Sequence, residues 1–253
     1  MEKKDEYEIK GSKLVEIPYL KLQLRDQTKN DNILIVGERI ANEGILQAVM
    51  EREYKSISCT DIMEKVPNSP LDLAIQNNNN ISFNQQDFIK YDESKKYDYI
   101  ICINVLEHFG MNFAEFSGFD DYVNGDDYIR WNHDLRAIRK MIKLLSKNPK
   151  SKIIITVPAG PPIMQGDINF LGNLMPSLRR YDKHRIEFIN EMVKSIDGNL
   201  DIDQHFYVTS DFHKWYEADI VITSRYNGKG DFMPNPTSHN IIWAFTIEKI
   251  NNE

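Results

Sequence analysis

Short apolar, β-branched runs that stop at glycine or an acid, each followed by a stretch with apolar residues three to four apart, limit what this chain can become. NILIVG at 32–37 is stopped by Gly37, and the stretch 43–54 carries Ile45, Leu46, Val49 and Met50 at helical spacing. SISCTD at 56–61 ends on an acid, 71–76 reads as a short helix, ISFNQQDF at 81–88 supplies a third strand with its exit, and YDYIICINV at 97–105 a fourth. Alternation of this kind predicts a parallel sheet covered by helices, because parallel neighbours need a long crossover between them. Further on, 132–145 puts Leu135, Ile138, Ile142 and Leu145 on one helical face. KIIITVP at 152–158 is the most hydrophobic run and belongs at the sheet's centre. A helix near 183–195 and two late strands, DIDQHFYVTS and NIIWAFTIEKI, complete the pattern. The expected fold class is α/β, with a mostly parallel seven-stranded sheet and an antiparallel C-terminal strand pair.

At 253 residues and 41% hydrophobic content the chain can bury one substantial core, so a single domain over 1–253 is expected. Residues 1–31 carry Leu14, Val15, Ile17, Leu20, Leu22 and Leu24, but Pro18 interrupts them, which predicts a capping segment rather than one clean helix. Two stretches without strand or helix pattern, 110–130 and 159–178, read as insertions; aromatic residues recur through the first and argue against disorder. The net charge of -7 disfavours nucleic acid or anionic membrane as the general partner. No run approaches the roughly 20 apolar residues of a membrane span, and a soluble, cytoplasmic protein acting on a small molecule is expected. Cys59 and Cys102 lie inside apolar runs and read as buried thiols, while NNNN at 77–80 reads as a surface turn with no role.

Ligands of open parallel sheets bind beyond the carboxyl ends of the strands. Here those ends carry Gly37 and Glu38, Asp61 and Ile62, Asp87 and Phe88, Asn104 through His108, and the segment 158–160. An acid closing the second strand is placed to accept hydrogen bonds from a ribose diol; the plain alternative for Asp61 is a turn or capping aspartate.

This order of motifs resembles the class I S-adenosylmethionine-dependent methyltransferases, over roughly residues 32–158. The resemblance implies a Rossmann-like three-layer sandwich and S-adenosylmethionine as methyl donor. It implies that the turn over 37–44, with Gly37, Glu38 and Glu43, meets the donor's methionine moiety, that Asp61 and Ile62 meet its ribose, and that Asp87 and Phe88 face its adenine. The tetrapeptide VLEH at 105–108 is similar to the family's element after the fourth strand, which implies that Asn104, Val105 and Glu107 border the methyl donor. The turn itself, ILIVGERIANEG, departs from the family: Ile35 occupies the place of an acid, and Arg39 and Ala41 stand where glycines are common. The succession HDLRAIRKMIKLL, IIITVPAGPP and RRYDKHRIEF resembles a bacterial branch associated with surface-glycan gene clusters. That implies O-methylation of a sugar, a sugar nucleotide or another small phosphorylated metabolite in polysaccharide biosynthesis, and leaves room for a homodimer.

Methyl transfer from a sulfonium requires in-line placement and exclusion of water, and a hydroxyl acceptor requires a base as well. Histidine suits that task near neutral pH. His108 is the first candidate, with His184 and His133 behind it; a loop contact for His108 and a helix-capping contact for His133 are the plain alternatives. Glu107 is expected to organise the pocket, since an unshifted carboxylate is too weak a base for an alcohol. Arg180 and Arg185, with Arg179 nearby, offer forks for an anionic substrate, against a solvated helix start. Tyr122 and Trp131, together with Phe116, Phe119 and Phe170, suit stacking on a sugar or nucleotide, against ordinary core packing. His108, Asp120, Asp121, Asp126, Asp127 and His133 show no fixed metal-ligand spacing, so no metal is expected. Two other classes compete. A nicotinamide-dependent enzyme would want GxGxxG after the first strand, which is absent, and YDESK at 91–95 lies in the wrong place for a dehydrogenase Tyr-Lys pair. A noncatalytic methyltransferase-like partner subunit would tolerate the altered glycine turn.

Overall fold

A computed structural model describes residues 12–38, 44–110, 132–160, 164–168, 174–209, 214–218 and 241–250, with only the backbone between 164 and 178. Five helices are described: α1 (Lys13–Gln23), α2 (Ile45–Met50), α3 (Pro70–Asn77), α4 (His133–Leu144) and α5 (Lys183–Ile196). Strands β1 (Asn32–Val36), β2 (Ser56–Asp61), β3 (Ile81–Gln85), β4 (Tyr99–Ile103) and β5 (Lys152–Pro158) run parallel in the order β3-β2-β1-β4-β5. Beyond β5 the sheet continues antiparallel through β10 (Ile241–Lys249), β8 (Leu200–Val208) and the short β9 (Tyr216–Ala218).

Side-chain alternation on the strands builds the two cores of a three-layer sandwich. Leu34, Val36, Ile100, Cys102, Ile153 and Ile155 point to one face, where Ile138 and Met141 of α4 and Ile189 and Val193 of α5 cover them. Ile33, Ile35, Cys59, Ile101 and Ile154 point to the other, under Leu20 of α1, Leu46 and Val49 of α2 and Leu71 of α3. Because both faces are buried, these strands read as unbroken apolar runs. Both cysteines are buried and free, one in each core. α3 starts where its sequence dictates, with the Ser69 hydroxyl accepting from the Asp72 amide at 3.2 Å and Pro70 in the first turn.

The α/β fold with its antiparallel C-terminal pair is as expected, and three local features add to it. First, α1 runs straight through Pro18, where a broken segment was expected. The carbonyl that Pro18 cannot serve belongs to Leu14, which is 36% exposed, so water can take the missing donor's place. Second, the stretch expected as an insertion over 159–178 carries an antiparallel strand pair, β6 (Met164–Ile168) with β7 (Leu174–Arg179), which runs one residue past its end. Third, the three residues of β9 extend the sheet from seven strands to eight. β3 ends at Gln85, and the exit expected within 81–88 follows it: the Asp87 carboxylate accepts from the Ile89 amide at 2.9 Å and starts a 3-10 turn, Phe88–Lys90.

Candidate functional site

The connections leave in opposite directions on either side of the β1–β4 pair, which makes their carboxyl ends the switch point where ligands of such sheets bind. Two backbone segments meet there. Gly37, after β1, has φ +82°, and a Cβ on it would fall 2.4 Å from a methyl of Val105. Only glycine fits that approach. Its amide donates to the Thr60 carbonyl at 2.7 Å, which ties the turn to β2.

The segment after β4 turns sharply. Asn104 adopts φ +55°, a left-handed conformation that asparagine tolerates better than most residues, while its amide donates to the Thr156 carbonyl at 3.0 Å. A 3-10 turn, Leu106–His108, follows and gives two adjacent side chains different surroundings, one buried and one partly open to solvent. Glu107 is fully buried and, among the described residues, none hydrogen-bonds either of its oxygens; the His108 side chain is 32% exposed, with Nε2 3.8 Å from Glu107 Oε1. Burial pushes the Glu107 carboxyl up to about 8, with Glu16 adding to the rise and Lys13 and Arg179 opposing it. The Asn104 Oδ1 is likewise buried without a hydrogen-bond partner among the described residues.

Under this turn lies a polar floor to which distant elements contribute. From α1, the buried Glu16 accepts from Thr156 Oγ1 at 3.1 Å and from the Ser12 hydroxyl at 3.2 Å, and pairs with Lys13 at 2.9 Å. On α4, the buried Asp134 accepts from the Tyr181 hydroxyl at 3.0 Å, pairs with Arg179 at 2.8 Å and receives a two-pronged contact from Arg185, whose Nε lies at 2.9 Å. Burial opposes the charge on Arg185, but Asp134 more than offsets it and raises the guanidinium's pKa. Arg179 also donates to the Phe109 carbonyl, which holds the end of β7 against the residues after His108.

The sequence candidates fall into distinct places. Gly37, Glu38, Asn104, Val105, Glu107 and His108 lie on the segments that leave the adjacent strands β1 and β4, and Asp61 and Ile62 close β2 beside β1. The Asp61 carboxylate accepts from the Met63 amide at 2.9 Å, a turn contact that leaves it at the strand end. Asp87 caps its 3-10 turn, and the Phe88 ring sits in the core edge-on to Phe109 at 6.0 Å. His133 is buried, its Nε2 3.1 Å from an Arg136 nitrogen. His184 is 87% exposed and 3.8 Å from Glu187. Arg185 is committed to Asp134, and Arg180 is buried, where desolvation lowers its pKa. Glu43, Tyr122 and Trp131 lie outside the described residues, as do Phe116, Phe119, Phe170 and the aspartates at 120, 121, 126 and 127. Among the described residues no group of three or more His, Cys, Asp or Glu is placed to hold a metal ion, and no helix is long and apolar enough to cross a membrane.

Glu16, Thr156, Asp134 and Tyr181 were not picked out from sequence. A lone acid between the apolar residues Val15 and Ile17, and an acid in the first turn of α4, were the available signals.

No family model matches the chain, and no curated protein does. Solved structures do match its fold. The 1,6-didemethyltoxoflavin-N1-methyltransferase of Burkholderia thailandensis, with bound 1,6-didemethyltoxoflavin and S-adenosylhomocysteine, aligns with TM-score 0.53 at 13% identity over 94% of this chain and 79% of its own. The CcbJ methyltransferase of Streptomyces caelestis aligns with TM-score 0.50 at 11% identity over 93% of this chain and 90% of its own. The StiE O-MT aligns with TM-score 0.51 at 12% identity over 95% and 76%. The chain therefore has the fold of the class I methyltransferases, with a Rossmann-like, mostly parallel sheet and an antiparallel C-terminal pair.

Proposed function

We propose that this protein is an S-adenosylmethionine-dependent methyltransferase that O-methylates a small hydroxylated acceptor: a sugar, a sugar nucleotide or another small phosphorylated metabolite of cytoplasmic polysaccharide biosynthesis. The observation that carries this reading is the close approach of Gly37 to Val105 at the switch point, with polar atoms of Asn104 and Glu107, unpartnered among the described residues, buried beside it. Solved structures of the same fold include one with S-adenosylhomocysteine bound. The residues present fit a donor of this kind. Gly37 leaves room for backbone approach where any side chain would collide, and Asp61 stands at the end of β2 where a carboxylate can accept from both hydroxyls of a ribose.

When bound, the donor supplies a methyl group already made electrophilic by the sulfonium, so the chain's own residues have to place, shield and deprotonate. Gly37, Glu38, Glu43, Asn104 and Val105 hold the amino-acid end. Asp61 and Ile62 hold the ribose, and Asp87 borders the adenine, with Phe88 supporting its 3-10 turn from the core. His108 takes the acceptor's proton, being the histidine of the strand end and partly open to solvent. The insertions at 110–130 and 159–178 shape the acceptor site, where Tyr122 and Trp131 stack on the acceptor and Arg180 faces its charge. His184, on the outer surface, has no part in this scheme.

Isothermal titration with S-adenosylmethionine and S-adenosylhomocysteine, with NAD as control, tests the reading. Saturable binding of the first two, weakened about tenfold or more in Asp61→Ala, is expected. Silence from a folded protein would refute donor binding and favour the noncatalytic partner subunit.

A further inference from the structure

Glu107 is a carboxyl group kept from water, and no described residue gives it a hydrogen bond. Among the described residues, the titratable groups that face it are Glu16 and Lys13 from α1, Arg179 from the end of β7, Tyr181 just beyond it, and the Cys102 thiol of β4. Its chain neighbour His108 brings Nε2 to 3.8 Å and reaches solvent. None of these gives Glu107 a hydrogen bond. Burying an unpaired carboxylate is far more costly than burying a neutral acid. With its pKa at about 8, the group is therefore mostly protonated at neutral pH.

S-adenosylmethionine carries a sulfonium cation, whereas the product S-adenosylhomocysteine carries a neutral thioether. A cation held a few ångströms from a buried acid favours its ionised form strongly, because little water screens the pair. We propose that Glu107 reads the charge of the bound donor: it releases its proton when a sulfonium occupies the site beyond β4 and recovers one when a thioether does. This rests on the methyltransferase reading above. The proton leaves for solvent past His108, and the carboxylate left behind raises the basicity of the imidazole beside it. During transfer the carbon–sulfur bond breaks as the carbon–oxygen bond forms, the sulfur keeps the bonding pair, and the acceptor's proton goes to His108. Once the sulfur is neutral, Glu107 takes back a proton. The base is thereby strengthened only while a methyl group is present to transfer, and Glu107 acts as a positioning residue through His108.

Titrating the full chain with each ligand at pH 7, in two buffers of different ionisation enthalpy, counts the protons released and needs no acceptor. S-adenosylmethionine is expected to release on the order of half a proton more per site than S-adenosylhomocysteine. Glu107→Gln should bind both and lose that difference, which separates the carboxyl from the ligands' own amino groups. In the wild type the difference should also fade near pH 9.5, where Glu107 is already ionised, so the test survives a variant that fails to fold. Equal proton counts for the two ligands, or an unchanged difference in Glu107→Gln, would overturn the inference while leaving the enzyme reading intact. Silence from both ligands would instead overturn the methyltransferase reading beneath it.

Discussion

Thr156 on β5 donates a 3.1 Å hydrogen bond to Glu16 on α1, joining positions 140 residues apart inside the protein. Through that bond the first helix becomes part of the floor beneath the candidate site. Glu16→Ala removes the acceptor for Thr156 and Ser12 and the 2.9 Å partner of Lys13. A loss of about 2–4 kcal/mol is expected, whereas Thr156→Val, which removes one donor, should cost about 1–2 kcal/mol. Urea denaturation midpoints at unchanged slope measure both.

Gly37→Ala carries two penalties, positive φ and a Cβ 2.4 Å from Val105. Together they should destabilise the protein by about 3 kcal/mol or more and weaken donor binding. Adding Val105→Ala removes the two methyl collisions but leaves the Val105 Cβ 2.9 Å away and the positive φ unrelieved, so the double variant should recover only a minor part of the lost stability. Full recovery would mean that the backbone conformation at Gly37 is not strained by a side chain.

The raised pKa of Glu107 sets a pH dependence of definite sign. The unfolded carboxyl ionises near its ordinary value of 4.5, while the folded one holds its proton to about 8. Between those values the folded state binds more protons, so this group makes stability fall as pH rises, and the fall levels off above 8. Glu107→Gln removes the effect. Its melting temperature should exceed the wild type's at pH 8.5 by several degrees, and the gap should narrow toward pH 5.

Asp134 is the shared anion of Arg179 and Arg185 and accepts from Tyr181. Asp134→Ala strands two largely buried guanidinium groups and should cost about 3–5 kcal/mol, whereas His184→Ala on the surface should stay within about 0.5 kcal/mol of wild type. Comparing the two denaturation midpoints separates the hub from its exposed neighbour.

The parallel half of the sheet was legible because burial on both faces leaves unmistakable runs: Ile33 to Val36 divide between two cores, as do Ile100 to Ile103. The strand-end residues were legible for the same reason, since a run that stops at Gly37 or Asp61 names its own end. What escaped was whatever depends on a distant partner. Pro18 weighs against a helix locally, and the burial of Ile17 and Leu20 in the core, where α1 meets α2 and β5, outweighs it. Arg185 resembles a substrate fork until Asp134, 51 positions earlier, turns out to hold it. The basicity of Glu107 was likewise invisible, because burial rather than sequence neighbours moves its pKa.

β10 lies between β5 and β8, with nine residues in register against β8 and seven against β5. Until the segment ending at Lys249 leaves the ribosome, both partners hold open rows of amide and carbonyl groups, the surfaces that recruit stray strands. A nascent chain paused before Ile241 therefore carries two unsealed edges, and its safe passage to the native state depends on how quickly translation delivers the strand that joins them.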